Sequence, residues 1–206
     1  KIKKELFIIL IPSLIYFLYA GQLFVKWTRF MSPLFFIGPF FCLYFLKEIK
    51  NNFLIFILII LMISPGIYFF QKYFLLDNRI IASNWIKLNI PSKSYIFSES
   101  GNVVDLPLSS SNFYVNNFDF YNPENIENLS TEIDKSDYII IPSRRVFKNN
   151  FPKTQKYYQQ LFSGDLNFKE VKVIKNQKSL FLNSENAEET WSVFDHPTIR
   201  IYKYVK

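Results

Sequence analysis

Hydrophobic residues are arranged in two different ways along this 206-residue chain. Before Asp77 they come in three long blocks: Leu6–Ala20, which Gln22 to Val25 extends, then Phe30–Leu46, then Phe53–Phe70. The last block carries no charge over its whole length. At a helical rise of about 1.5 Å per residue, blocks of this size approach the roughly 30 Å of a bilayer's hydrocarbon core, and each predicts a membrane-spanning helix. Pro12 predicts a bend in the first, and Pro39, beside Gly38, a kink in the second. Pro33 falls in a first turn, where a missing N–H costs nothing. Ser64-Pro65-Gly66 predicts a break late in the third. The Lys-rich start and first apolar block also match a secretory signal, but two further blocks follow at once, which favours spans.

After Asp77 the apolar positions become periodic. Ile81, Trp85 and Leu88 recur at helical spacing over Asn78–Asn89, and Pro91 ends that helix. Ser94–Phe97 reads as a short strand, Asn102–Leu108 as a loop or edge strand, and Phe113–Tyr121 as a strand. Asn122 caps and Pro123 opens a helix to about Asp134, with Ile126, Leu129 and Ile133 inward. Tyr138–Ile141 is a continuous apolar run of buried-strand length. Pro152–Phe162 predicts a helix with Tyr158, Leu161 and Phe162 inward; Phe168–Ile174, Ser179–Leu182 and Thr198–Tyr204 complete a sheet. The expected fold class is therefore membrane α-helical, with three transmembrane helices, followed by a soluble α/β domain with a mixed sheet. The expected domains are 1–76 and 77–206.

Charge divides at the same place. Residues 1–76 hold eight basic and two acidic residues, whereas 77–206 hold sixteen and fifteen. The basic excess lies at the block ends and forms no patch on the periodic part, which argues against nucleic acid as a partner. Five Lys lie in Lys1–Glu5 and Lys47–Asn52, against Lys26 and Arg29 in the segment between the first two blocks. That bias places residues 77–206 on the extracytoplasmic side of a multi-pass plasma-membrane protein, with the lipid bilayer as its first partner. A chain that opens on Lys1 and runs straight into a hydrophobic block also has the form of the tail of a longer protein. Cys42 alone builds no disulfide framework, and His196 alone excludes a histidine-rich metal site.

The chemistry-bearing residues are few. Lys26 and Arg29, at i, i+3 spacing, can hold a phosphate, Arg by a bidentate fork and Lys as a point charge; they can equally anchor a helix at a headgroup layer. Glu99, Asp105 and Asp119 fall in or beside predicted loops, where carboxylates act as acid and base, hold a metal, or simply face solvent. Ser143-Arg144-Arg145 follow the buried strand, at the end where α/β sheets place binding groups. The two arginines face an anion there, or pair with Asp137 or the acidic run Glu185–Glu189. Asp195-His196-Pro197 has the composition of a catalytic pair, but neighbours on an extended chain point apart and Pro197 favours a turn. No Gly-rich phosphate loop, nucleophile elbow or metal-ligand spacing is present.

Several stretches together resemble a known family. Lys26-Trp27-Thr28-Arg29-Phe30 followed by Pro33 and Pro39, the helix ASNWIKLNIP (Ala82–Pro91), the loop ESGNVVDLPL (Glu99–Leu108), DYIIIPSRR (Asp137–Arg145), YYQQLFSGDLNF (Tyr157–Phe168) and AEETWSVFDHPTIRIY (Ala187–Tyr202) carry it. In this order they resemble the C-terminal third of GT-C superfamily integral membrane glycosyltransferases, of the protein O-mannosyltransferase and aminoarabinose transferase type, family 39-like. The resemblance implies transfer of a sugar from a polyprenyl-phosphate donor to an acceptor on the outer membrane face, with an upstream transmembrane part of the same protein as partner. It implies that Lys26 and Arg29 lie near the donor phosphate and that the acid deprotonating the acceptor lies upstream, so no catalytic residue is expected in this chain. Glu99, Asp105, Arg144, Arg145, Asp195 and His196 are then acceptor-binding or interface residues. No cofactor is visible, and some members of the family use a divalent cation. Gly101–Val104 lack the Trp-Asp pair of relatives, which weakens the acceptor roles of Glu99 and Asp105. A non-catalytic membrane-tethered binding or assembly module of envelope polysaccharide synthesis is the alternative.

Overall fold

The computed structural model describes residues 4–23, 28–35, 37–100, 105–108, 112–148, 152–175, 185–186 and 189–205. The chain divides into two compact units, 1–73 and 74–206.

The first unit is helical. Helix α1 (Lys4–Gln22) precedes a 3-10 turn (Thr28–Met31), the short α2 (Ser32–Phe35), α3 (Ile37–Glu48) and α4 (Asn52–Lys72). The Tyr16 hydroxyl donates to the Phe30 carbonyl at 2.6 Å, fastening α1 to the 3-10 turn. The expectation of three transmembrane helices is corrected here: among the described residues no helix is long and apolar enough to cross a membrane. The second block is divided among three short elements, and α3, with 12 residues, rises only about 18 Å. The apolar stretch of α1, inside its polar ends, reaches about 22 Å, short of the roughly 30 Å of a hydrocarbon core. The multi-pass plasma-membrane placement, and the extracytoplasmic side assigned to 77–206, rested on those spans and lose their premise. The prolines also act differently from expectation. Pro39 falls in the opening turn of α3 and so displaces no hydrogen bond, while α4 runs on through Ser64-Pro65-Gly66 to Lys72.

The second unit is a three-layer α/β structure. It begins with α5 (Asn78–Asn89), whose N-cap Asp77 accepts from the Arg79 amide at 2.8 Å. Then come β1 (Tyr95–Ser100), β2 (Tyr114–Asp119), α6 (Pro123–Glu127), α7 (Leu129–Asp134), β3 (Tyr138–Ile141), α8 (Arg145–Lys148), α9 (Pro152–Ser163), β4 (Phe168–Ile174), a π-helical turn (Thr190–Asp195) and β5 (Ile199–Tyr204). The strand order is β2-β1-β3-β5-β4, with β2, β1 and β3 parallel and β5 antiparallel to both β3 and β4. One face packs Ala82, Ile86 and Ile90 against Ile96, Ile140 and Ile201. The other packs Leu129, Ile133, Tyr157, Tyr158 and Leu161 against Phe97, Ile139 and Tyr202. Strand β4 lies at one edge, and its register with β5 slips between Glu170 and Lys172, leaving Val171 outside the ladder. Gly164, at φ +88°, supplies the left-handed residue that ends α9.

The predicted helix Asn78–Asn89 and strand Tyr138–Ile141 have those bounds in the structure. The helix predicted from Pro123 to Asp134 is divided at Asn128. The predicted strand Ser179–Leu182, like Lys26, lies outside the described residues.

Candidate functional site

Strand β1 lies between β2 and β3. The chain therefore leaves it towards one side and returns, through α6 and α7, to the other. Such a switch point opens a crevice at the carboxyl ends of the strands, where open α/β sheets bind ligands. Glu99 is the penultimate residue of β1. Asp105 accepts a hydrogen bond from the Ser100 hydroxyl at 3.1 Å, so it stays at the same end. Ser143, Arg144 and Arg145 follow β3 directly. Asp195 and His196 precede β5, which starts opposite the end of β3 because Ile141 pairs with Arg200. The six residues to which the resemblance gave acceptor or interface roles, Glu99, Asp105, Arg144, Arg145, Asp195 and His196, thus lie on segments that meet at the carboxyl edge. Arg29 lies in the 3-10 turn of the other unit.

Glu99 differs from its sequence reading. It is not in a loop: Ser98-Glu99-Ser100 extend β1, and the Glu99 side chain is 1% exposed. It shares the face of Phe97, which is lined by Phe118, Phe120, Tyr157 and Tyr158, with the Phe97 and Phe118 rings 4.9 Å apart. Neither carboxyl oxygen has a hydrogen bond of good geometry, nor has the buried Tyr157 hydroxyl; the Tyr158 hydroxyl lies close enough to the carboxyl to act on it without completing one. Burial in this aromatic layer pushes the Glu99 carboxyl well above its ordinary range; the Tyr158 hydroxyl and the Arg200 charge oppose that only in part. The same burial, with Glu99 nearby, raises both tyrosines.

The arginines behave as a clamp. Arg145 Nη1 donates to Glu189 Oε1 at 2.6 Å, and Arg144 Nε donates to Ser192 Oγ at 2.7 Å. Both bonds hold the π-helical turn over the end of β3. Pairing with the acidic run is thus the reading the geometry takes, through Glu189. Asp137 sits before β3, at the opposite edge, and accepts from the Tyr95 amide at 2.8 Å. Asp119 likewise serves a turn, accepting from the Tyr121 amide at 2.8 Å. His196 is buried, stacked on Trp191 with centroids 4.1 Å apart and planes 16° from parallel. Its amide donates to the Trp191 carbonyl at 2.8 Å and closes the turn. The Asn78 amide group, at the start of α5, donates to the Pro197 carbonyl at 2.8 Å and ties this segment to the helix. Burial pushes the Asp77 carboxyl up, but the hydrogen bonds and charge of Arg79 outweigh it and hold it below its usual value, with a smaller contribution from His196.

Sequence reasoning missed Trp191, Ser192, Tyr157 and Arg200 as members of this neighbourhood. Arg200 carried a signal: it interrupts Ile199-Arg200-Ile201 at an alternating position in a strand. The Trp191–His196 stack carried none, since a π-helical turn has no periodic signature. Among the described residues no group of three or more metal-ligating side chains comes together. No family model, no curated protein and no solved structure matches this chain.

Proposed function

We infer that residues 74–206 are the acceptor-binding module of a glycosyltransferase drawing on a polyprenyl-phosphate-linked sugar, with the transfer chemistry outside this chain. The reading rests on the gathering of Glu99, Asp105, Arg144, Arg145, Asp195 and His196 beside the β1–β3 switch point. A polar edge backed by a buried carboxyl whose pKa burial raises, and rimmed by arginines already engaged with Glu189 and Ser192, suits a neutral, hydroxyl-rich acceptor better than a free phosphate. The motif resemblance supports the choice of donor. Because Arg144 and Arg145 already hold the π-helical turn, a non-catalytic assembly module is the second reading.

Trp191, stacked on His196 at this edge, makes the test direct. Titration of the chain with a panel of oligosaccharide and peptide acceptors should change tryptophan fluorescence saturably for one class. Arg145→Ala, which releases Glu189 from the turn, should weaken that response roughly tenfold. A response absent from every acceptor class, or indifferent to Arg145, overturns the assignment. In a transferase containing this chain, Arg29→Ala should reduce donor use far more than Lys72→Ala; equal effects remove the phosphate role of Arg29.

A further inference from the structure

A concavity lies on the aromatic face of the sheet, over the β4–β5 side. It has a volume of about 490 Å³, within the range of about 300–1,000 Å³ usual for small-ligand sites. The end of α9, the α8 residue Phe147 and the strands β4 and β5 form its walls. Four rings line it: Phe147, Phe162, Phe168 and Tyr202. Phe162 is 47% exposed, sits edge-on to Phe147 at 5.5 Å and lies 6.4 Å from Tyr202. An exposed ring next to a groove is a flat apolar platform.

The polar lining is built and ordered. Tyr202 donates its hydroxyl to Glu170 Oε2 at 3.2 Å. Arg200 lies over the Phe147 ring, 5.6 Å from its centroid, and is paired with Glu185 at 2.5 Å and held 3.9 Å from Glu170. The Arg200 charge is thereby balanced within the lining, where Lys169 is the other cation. What the cleft does present is both donors and acceptors, the Arg200 guanidinium and the Glu170 carboxylate, with the Ser163 hydroxyl, whose proton goes to Asp165, as a further acceptor, beside exposed aromatic carbon. A lipid chain would leave the polar half of this lining without partners, and a compact ion would leave the rings uncovered. A pyranose satisfies both halves, because it offers one face of C–H groups and a rim of hydroxyls that donate and accept.

We propose that the cleft between α9 and strands β4 and β5 is a binding site for a single pyranose residue, stacked on Phe162 and hydrogen-bonded by Glu170 and Arg200. Arg200 borders both this cleft and the carboxyl edge, but Trp191, His196 and the arginine clamp take no part in the cleft, so the two sites can be tested apart.

The test is amide NMR of the full chain titrated with methyl glucoside, methyl mannoside and methyl galactoside. Saturable shifts are expected at Gly164, Lys169 and Glu170, with at least one epimer distinguished from the others. Phe162→Ala removes an exposed ring and should weaken binding roughly three- to tenfold, the loss of one aromatic contact. Glu170→Gln keeps the shape, removes the charged acceptor and should weaken it roughly tenfold. Shifts confined to Ser192 and His196 would place the sugar at the carboxyl edge and overturn this site while sparing that one. Equal shifts with glycerol, or binding indifferent to both substitutions, also overturn it.

Discussion

Glu99 is a carboxyl buried in the core of the α/β unit, and that has an electrostatic consequence. Its carboxyl is buried on the aromatic face beside Tyr157 and Tyr158, and burial favours its protonated form. The folded state thus holds the proton more tightly than the unfolded chain, whose carboxyl titrates near its ordinary value of 4.5. Its contribution to stability is complete below that value and declines as pH rises towards the elevated folded value. Glu99→Gln, a neutral isostere, should therefore match the parent near pH 4 and become progressively more stable as pH rises. Thermal melts of both proteins across pH 4–9 check this. Parallel curves would mean that the carboxyl is charged in the fold.

At the scale of elements, α5 shows where periodicity informs and where it misleads. Its bounds were legible: Asp77 caps it and Pro91 follows it. Its inward face was not. Ile81, Trp85 and Leu88 have the right spacing, yet Leu88 is 84% exposed and Ile81 38%. The face that meets the sheet is Ala82, Ile86 and Ile90, with Ser83 also buried. Small side chains let the helix axis approach the strands closely, and that closeness decides the rotation more than side-chain bulk does. Ala82→Leu should accordingly cost about 1–3 kcal/mol in urea unfolding, whereas Leu88→Ala should change stability by less than about 0.5 kcal/mol. Reversed magnitudes would restore the larger residues to the core.

The same contrast holds for the site. The apolar strand Tyr138–Ile141 announced itself, and the residues after it could be placed at a binding edge by position alone. Ser98-Glu99-Ser100 could not be read as buried strand, because polar residues in a short run have the composition of a loop. The pairing of Arg145 with Glu189 was one of several open choices. Only the antiparallel return of β5, a long-range feature, decided it.

At the scale of the molecule, the chain is two units with their own internal contacts, and the second has its own two-sided core. A core of that kind, in about 130 residues, is sufficient for independent folding. Residues 74–206 produced alone should unfold in one cooperative transition, with circular dichroism and near-ultraviolet signals coincident. Separate transitions would show that the sheet depends on the preceding helices.

The slipped register at Val171 has a further effect. A sheet whose outermost strand is regular can recruit another chain along its free backbone. Here Lys169, Glu170 and Lys172 stand exposed along that rim, and the extra residue throws its amides out of step with any incoming strand. The rim thus opposes fibrous growth from this side, so the protein should tolerate crowding that would assemble a smooth-edged sheet.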